Sequence, residues 1–217
     1  MCFGVKNMLC KRLLSFLLVS LFVLLALTPL NLWGNDSGPQ QQLEVSINRL
    51  LAVLQDENLK GDDKRDLRRE RIAEVVFLQF NMRRMAKLSL GRDWKGLSES
   101  ERSHFTELFG ELLKESYVAT IDGYADEKIT YAKEVIKGDK AIVKTVVVSG
   151  SRGEIPLSYK LQVKDGKWLV YDVIIENVSL VRNYRSQFGP IVKKRGFDGL
   201  IVQMEKKIAQ ARKKKND

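Results

Sequence analysis

The stretch KITYAKEVIKGDKAIVKTVVVSGSRGEIPLSYKLQVKDGKWLVYDVIIENV, Lys128 to Val178, decides the fold. Ahead of it apolar residues recur at helical spacing; from Lys128 onward they alternate with polar ones. Ile129–Ile136 reads as a strand, with Gly138-Asp139 as its turn. Ala141–Val148 reads as a second strand, closed by a loop from Gly150 to Gly153. Ile155, Leu157, Tyr159, Leu161 and Val163 alternate with polar residues and predict a half-buried third strand. Asp165-Gly166 is a strong hairpin signal. Trp168–Val178 follows as a fourth strand, apolar on both faces for part of its length. Four strands with short connections make an antiparallel meander.

Both flanks are helical. Leu43, Ile47, Leu50, Leu51 and Leu54 mark one amphipathic helix. Gly61-Asp62-Asp63 ends it and opens a second, which presents Leu67, Ile72, Val75 and Val76. A short irregular piece is expected around Phe77-Leu78-Gln79-Phe80, and then a short helix from Met82 to Leu90 stopped by Gly91. Ser98-Glu99-Ser100-Glu101 is a capping box. The helix it opens carries Phe105, Leu108, Phe109, Leu112, Leu113 and Tyr117 on one stripe and ends near Gly123. Beyond the strands, Ser179 caps a helix bearing Leu180, Tyr184 and Phe188, and Phe197–Ala211 forms a last one. The expectation is an α+β fold: a curved four-stranded antiparallel sheet packed with a helical subdomain around an apolar cavity.

The chain has 217 residues, 44% of them hydrophobic, enough for one domain and a leader. Leu13–Leu27 carries no charge, follows Lys6, Lys11 and Arg12, and is broken by Thr28-Pro29. That is the pattern of an export signal, and shorter than the ~20 residues of a spanning helix. Residues 1–34 are therefore expected to be a signal peptide, with an uncleaved anchor as the alternative. Residues 35–42 read as a turn-rich linker, and 43–217 as a single domain with a basic C-terminal tail. The expected location is the periplasm. Both cysteines, Cys2 and Cys10, precede the apolar run, so the domain needs no disulfide and holds no thiolate metal site. Net charge is +10; Lys6, Lys11 and Arg12 belong to the leader, which leaves +7 for the rest. An anionic membrane surface or an acidic partner suits that balance.

Reactive groups are sparse. His104 is the only histidine and has no second ligand or ordered acid in view. Asp122, Asp126 and Glu127 read as a solvated loop. Asp172 on the fourth strand is the one acid placed for cavity chemistry; it could instead pair with Arg182 or Arg185, or face water. Neither a Gly-x-Ser-x-Gly elbow nor a phosphate loop occurs. Arg83-Arg84 and Lys87 form a small basic patch, either a solvated helix face or a seat for a phosphate head group. Export and thin aromatic interleaving argue against nucleic acid. No catalytic residue, metal or cofactor is expected.

Several motifs in order resemble the MlaC (toluene-tolerance) family of periplasmic lipid carriers. They are Met85-Ala86-Lys87-Leu88-Ser89-Leu90-Gly91-Arg92-Asp93-Trp94, then Phe105, Phe109, Leu112-Leu113 and Tyr117. Lys167–Val173, Val178–Phe188 and Gly196–Leu200 continue the match, which covers Leu43 to Met204. Two positions depart from the pattern: Gln79, where the family often has aspartate, and Asn177, where it tends to glycine. The resemblance implies a sheet related to nuclear-transport-factor-like cones. It implies a carrier that holds phospholipid acyl chains in its cavity with the head group outside. It also implies shuttling between an inner-membrane ABC transporter complex, through an MCE-domain protein, and an outer-membrane lipoprotein complex; the carrier itself binds no nucleotide. A carrier of another hydrophobic lipid such as a hopanoid fits equally, a membrane-anchored interaction protein without ligand is the alternative of another class, and a monomer is expected. From their apolar facing, the expected lipid-binding residues are Phe80, Met85, Leu90, Phe109 and Tyr117 on helices and Val147, Tyr159, Leu161, Val173 and Ile175 on the sheet. Tyr184 and Phe188 are expected at the rim.

Overall fold

Helix α1 (Pro39–Leu54) begins inside the segment read as a linker. Pro39 explains the early start: at the first helical position its φ is already set and its missing N–H costs no hydrogen bond. The computed structural model describes residues 37–124, 127–149 and 153–216, so the proposed leader lies outside the described residues. Two single-turn helices, Glu57–Leu59 and Asp62–Lys64, lead into α2 (Arg65–Leu78).

Helix α3 (Met82–Leu90) is capped by Asn81, whose side chain accepts from the Arg84 N–H. It ends at Gly91, where φ is 65°, a backbone conformation that favours glycine. Helix α4 (Glu99–Asp122) opens with the expected capping box: Ser98 accepts from the Glu101 N–H and Glu101 accepts from the Ser98 N–H.

The sheet is an antiparallel meander in the order β1 (Lys128–Lys137), β2 (Lys140–Ser149), β3 (Gly153–Lys164), β4 (Lys167–Ile175), β5 (Val178–Ser179). It has five strands, one more than the sequence suggests. The predicted fourth strand is cut by Glu176 and Asn177, both at positive φ, and Val178–Ser179 folds back onto Ile174–Ile175. Two positive-φ residues in a two-residue turn match the right-handed twist of a hairpin, and asparagine tolerates that backbone. Register shifts at Tyr131/Lys133 and at Lys160/Leu161 mark bulges, which bend the sheet.

Helix α5 (Leu180–Asn216) runs as two segments broken at Gly196, where φ is 72° and ψ −177°. Ser179 caps it by accepting from the Arg182 N–H.

Hydrophobic packing falls into zones. Phe105, Phe109, Tyr184, Phe188, Leu200 and Met204 join α3, α4 and α5 in a helical core. Leu43 and Ile47 of α1 lie against Val143, Leu161 and Val170 of the sheet. Leu54, Ile72, Ala73 and Val118 tie α1, α2 and α4 together.

Candidate functional site

Between the second and third of those zones the surfaces do not close. They enclose an open-sided cavity of about 300 Å³. Helix α1 supplies Leu43, Ile47, Leu50, Leu51 and Leu54, residues at i, i+4, i+7, i+8 and i+11, which share one helix face. Val75, Val76 and Phe77 come from the last turn of α2, and Leu113, Tyr117, Val118 and Ile121 from the last turns of α4. The sheet adds Ile129, Val147, Ile155, Leu157, Tyr159, Val170, Val173 and Ile175, and Leu180 closes one end. These sheet residues share one face because side chains alternate along a strand, and the bulge at Lys160/Leu161 restores Val170 to the face of Val173 and Ile175.

The irregular piece between α2 and α3 locks helix to sheet. Val170 donates its N–H to the Gln79 carbonyl at 2.9 Å, and Asn81 donates to the Val170 carbonyl at 2.8 Å. Phe80 thereby pairs with Val170 in a strand-like bridge and is turned onto the cavity wall. The Gln79 side chain completes the join. It donates to the Trp168 carbonyl at 2.7 Å and accepts from the Ser46 hydroxyl at 2.6 Å. An aspartate could only accept when ionised, so the glutamine makes a two-sided bridge from α1 to β4.

The wall is nearly free of charge. Ser46, Gln79, Thr120, Glu127 and tyrosine hydroxyls are its polar members. Burial pushes the Tyr159 hydroxyl up to about 12. Burial also raises Tyr117, helped by the neighbouring Tyr184 hydroxyl. Both stay neutral at any ordinary pH. A largely apolar wall with few polar groups suits an apolar ligand.

Of the expected residues, Phe80, Tyr117, Val147, Tyr159, Val173 and Ile175 stand on this wall. The other six expected residues do not. Met85, Leu90, Phe109, Tyr184 and Phe188 belong to the helical core, where the Phe109 ring meets Tyr184 edge-on at 5.1 Å and Phe188 at 6.1 Å. Tyr184 and Phe188 are buried rather than at a rim. Leu161 is sealed between the sheet and α1. Phe109 and Tyr117 lie on one helical stripe eight residues apart. The first meets α5 and the second meets the cavity, a difference that depends on what lies opposite.

The largest omission is α1. Its leucine stripe was legible as a helix face, but nothing in it told a face packed on a core from one lining a cavity. Ile155 and Leu157 were likewise visible in the alternation of β3.

The other candidates settle differently. His104 is exposed. Asp122 is no solvated loop residue: its side chain is 6% exposed and binds both Arg68 and Arg69. Asp126 lies outside the described residues, and Glu127 is on the cavity wall. Asp172 is 2% exposed, and its oxygens accept from Ser179, the Val181 N–H and Lys160 rather than from Arg182 or Arg185. Arg83 pairs with Glu99, and Arg84 stacks 4.4 Å over the Tyr171 ring. Neither these arginines nor Lys87 lines the cavity. Among the described residues no cluster of acids, histidines or cysteines could hold a metal, and no helix is long and apolar enough to cross a membrane.

Three comparisons bear on this arrangement. The family model described as "MlaC protein" matches residues 44–206. A relative from Haemophilus influenzae, described as "Intermembrane phospholipid transport system binding protein MlaC", is 23% identical over 180 residues. That match spans 81% of this chain and 84% of the relative. The solved structure of a phospholipid-binding protein from Ralstonia solanacearum in complex with a phospholipid shares the fold. Its TM-score is 0.72 at 20% identity, covering 81% of this chain and 99% of that one. Helices, curved sheet and motif order thus agree over three quarters of the sequence, and the chain belongs to the MlaC family.

Proposed function

We propose that this protein is a periplasmic phospholipid carrier that holds acyl chains in the cavity between α1, α2, α4 and the concave face of the sheet. The observation that carries the reading is the cavity itself: a predominantly apolar hollow where a filled core would otherwise stand. Each buried CH₂ contributes ~0.8 kcal/mol, so one or two long chains bind tightly with no covalent help. Tight binding makes unaided release slow. The carrier therefore exchanges lipid with partners, an inner-membrane ABC transporter complex with its MCE-domain protein and an outer-membrane lipoprotein complex. The family relatives described as phospholipid-binding and intermembrane transport proteins support this reading. No catalysis is assigned, because the one buried sheet carboxylate, Asp172, is occupied by three donors and is absent from the cavity wall.

Native mass spectrometry of the purified protein, followed by organic extraction and lipid analysis, tests the proposal. The expected result is near-stoichiometric phospholipid. A hopanoid or other lipid in its place would keep the carrier and change the cargo. A lipid-free mass that persists after incubation with phospholipid vesicles would refute the carrier.

A further inference from the structure

The face of the sheet turned away from the cavity carries a charge pattern that folding does not require. On β2, Ala141, Val143, Thr145 and Val147 point inward and are buried, whereas Ile142, Lys144 and Val148 point outward and are exposed. Cross-strand partners lie on the same side of a sheet. Register therefore carries the outward side to β1, where Lys133 stands opposite Lys144, Val135 opposite Ile142, and Lys137 opposite Lys140. Lys128 stands opposite Val148 at the far end. The result is two like-charged lysine pairs bracketing an aliphatic pair, with Val135 46% and Ile142 37% exposed.

None of the five lysines forms an ion pair among the described residues. Nearby carboxylates are Asp139, in the turn and bonded to Gln162, and Glu154, opposite Val148. Lys160, on the same side of β3, is bonded to Asp172.

Like charges directly opposite each other destabilise a sheet. Lysines also protect an exposed edge from pairing with other chains. That accounts for Lys128, Lys133 and Lys137 on edge strand β1, but not for Lys140 and Lys144 on β2, which is paired on both sides. The chemistry of the face narrows its partner. It has lysine without arginine and aliphatics without aromatics. Protein interfaces show the reverse, being enriched in arginine and aromatic residues and depleted in lysine. Compact ammonium groups instead match a diffuse sheet of phosphate charge, and short aliphatics reach only its outer layer.

We propose that the outer face of β1 and β2 adsorbs reversibly to the surface of anionic phospholipid bilayers. The inference rests on surface charge and not on the cargo, since the cavity is walled by the opposite face of the sheet.

Co-sedimentation with vesicles of phosphatidylglycerol in phosphatidylcholine, against phosphatidylcholine alone, tests it. Each lysine near an anionic surface is worth about fivefold in partitioning, so three are worth about 100-fold. Wild type should bind the anionic vesicles, ignore the neutral ones and be released by salt. The Lys133→Gln/Lys140→Gln/Lys144→Gln variant should lose about 100-fold. It should melt no lower than wild type, because repulsion has been removed. Removing the same charge from exposed positions of α5, with Lys193→Gln/Lys194→Gln/Lys206→Gln, should weaken binding far less. Equal binding to both vesicle types, no binding to either, or equal weakening by the two triple variants would overturn the proposal. So would retention of wild type on an acidic protein surface, lost in the sheet variant, with no affinity for vesicles. A lipid-free cavity alongside intact adsorption would fail the carrier and leave this inference standing.

Discussion

Asp172 concentrates more hydrogen bonding than any other acid in the sheet. Ser179 donates at 2.8 Å, the Val181 N–H at 3.2 Å and Lys160 at 3.3 Å. The carboxylate thereby joins β3, β4 and the first turn of α5, and its negative charge sits at the positive end of that helix. Asp172→Asn keeps the shape and removes the charge. It should lower stability by about 2–3 kcal/mol in denaturant unfolding while leaving lipid stoichiometry intact. A loss of bound lipid without a loss of stability would contradict this structural role. Asp122 gives a pH-dependent counterpart. Burial alone would raise its pKa, but hydrogen bonds and charge from Arg68 and Arg69 outweigh burial and hold it below the ordinary value. Its contribution is therefore complete above the unfolded value of about 3.9 and lost as the pH falls through the lower folded one. In acid titrations Asp122→Asn should be less stable than wild type at neutral pH, with the gap closing in acid. A gap that widened in acid would reverse the assigned sign.

Among the elements, the β4–β5 hairpin depends on a single side-chain type. Glu176 and Asn177 lie at φ 48° and 70°, and the turn sets Val178–Ser179 on the sheet edge just before α5 starts. Asn177→Gly should be neutral within error by thermal unfolding, whereas Asn177→Val should cost about 1–2 kcal/mol. Equal stability of the two would mean that the turn relaxes to another type. The long apolar run from Trp168 hid this break, because alternation does not register a two-residue reversal whose flanks are both apolar. Helix α4 was legible almost to the residue, because its capping box and terminal glycine are local signals. Helix α1 began earlier than its turn-forming neighbours suggested, because a proline that punctuates a loop also initiates a helix.

For the whole molecule, the relevant contrast is between a wall and a core. Val173 faces the cavity, whereas Phe109 is enclosed by Phe105, Tyr184 and Phe188. Val173→Trp should occupy the hollow and abolish co-purified lipid, with a stability change of no more than about 1–3 kcal/mol. Phe109→Ala should cost about 3–5 kcal/mol and leave lipid bound to whatever fraction folds. Native mass spectrometry beside thermal unfolding separates the two effects. Undiminished lipid in Val173→Trp would remove the cavity from the functional account.

By itself the sequence determined the α+β class, the meander, the helix caps, the turn positions and the family, because each is written in contiguous residues or in motif order. Only the tertiary structure decided which apolar faces meet and which stand apart. Met85, Leu90, Phe109, Leu161, Tyr184 and Phe188 were indistinguishable in pattern from Phe80, Tyr117 and Val173, since periodicity reports that a side chain faces inward and not what fills the space opposite. It also decided the role of Gln79, whose partners Ser46 and Trp168 lie 33 and 89 residues away. The outer lysine ladder emerged the same way: residues spaced along two strands become one charged surface only when the register brings them level.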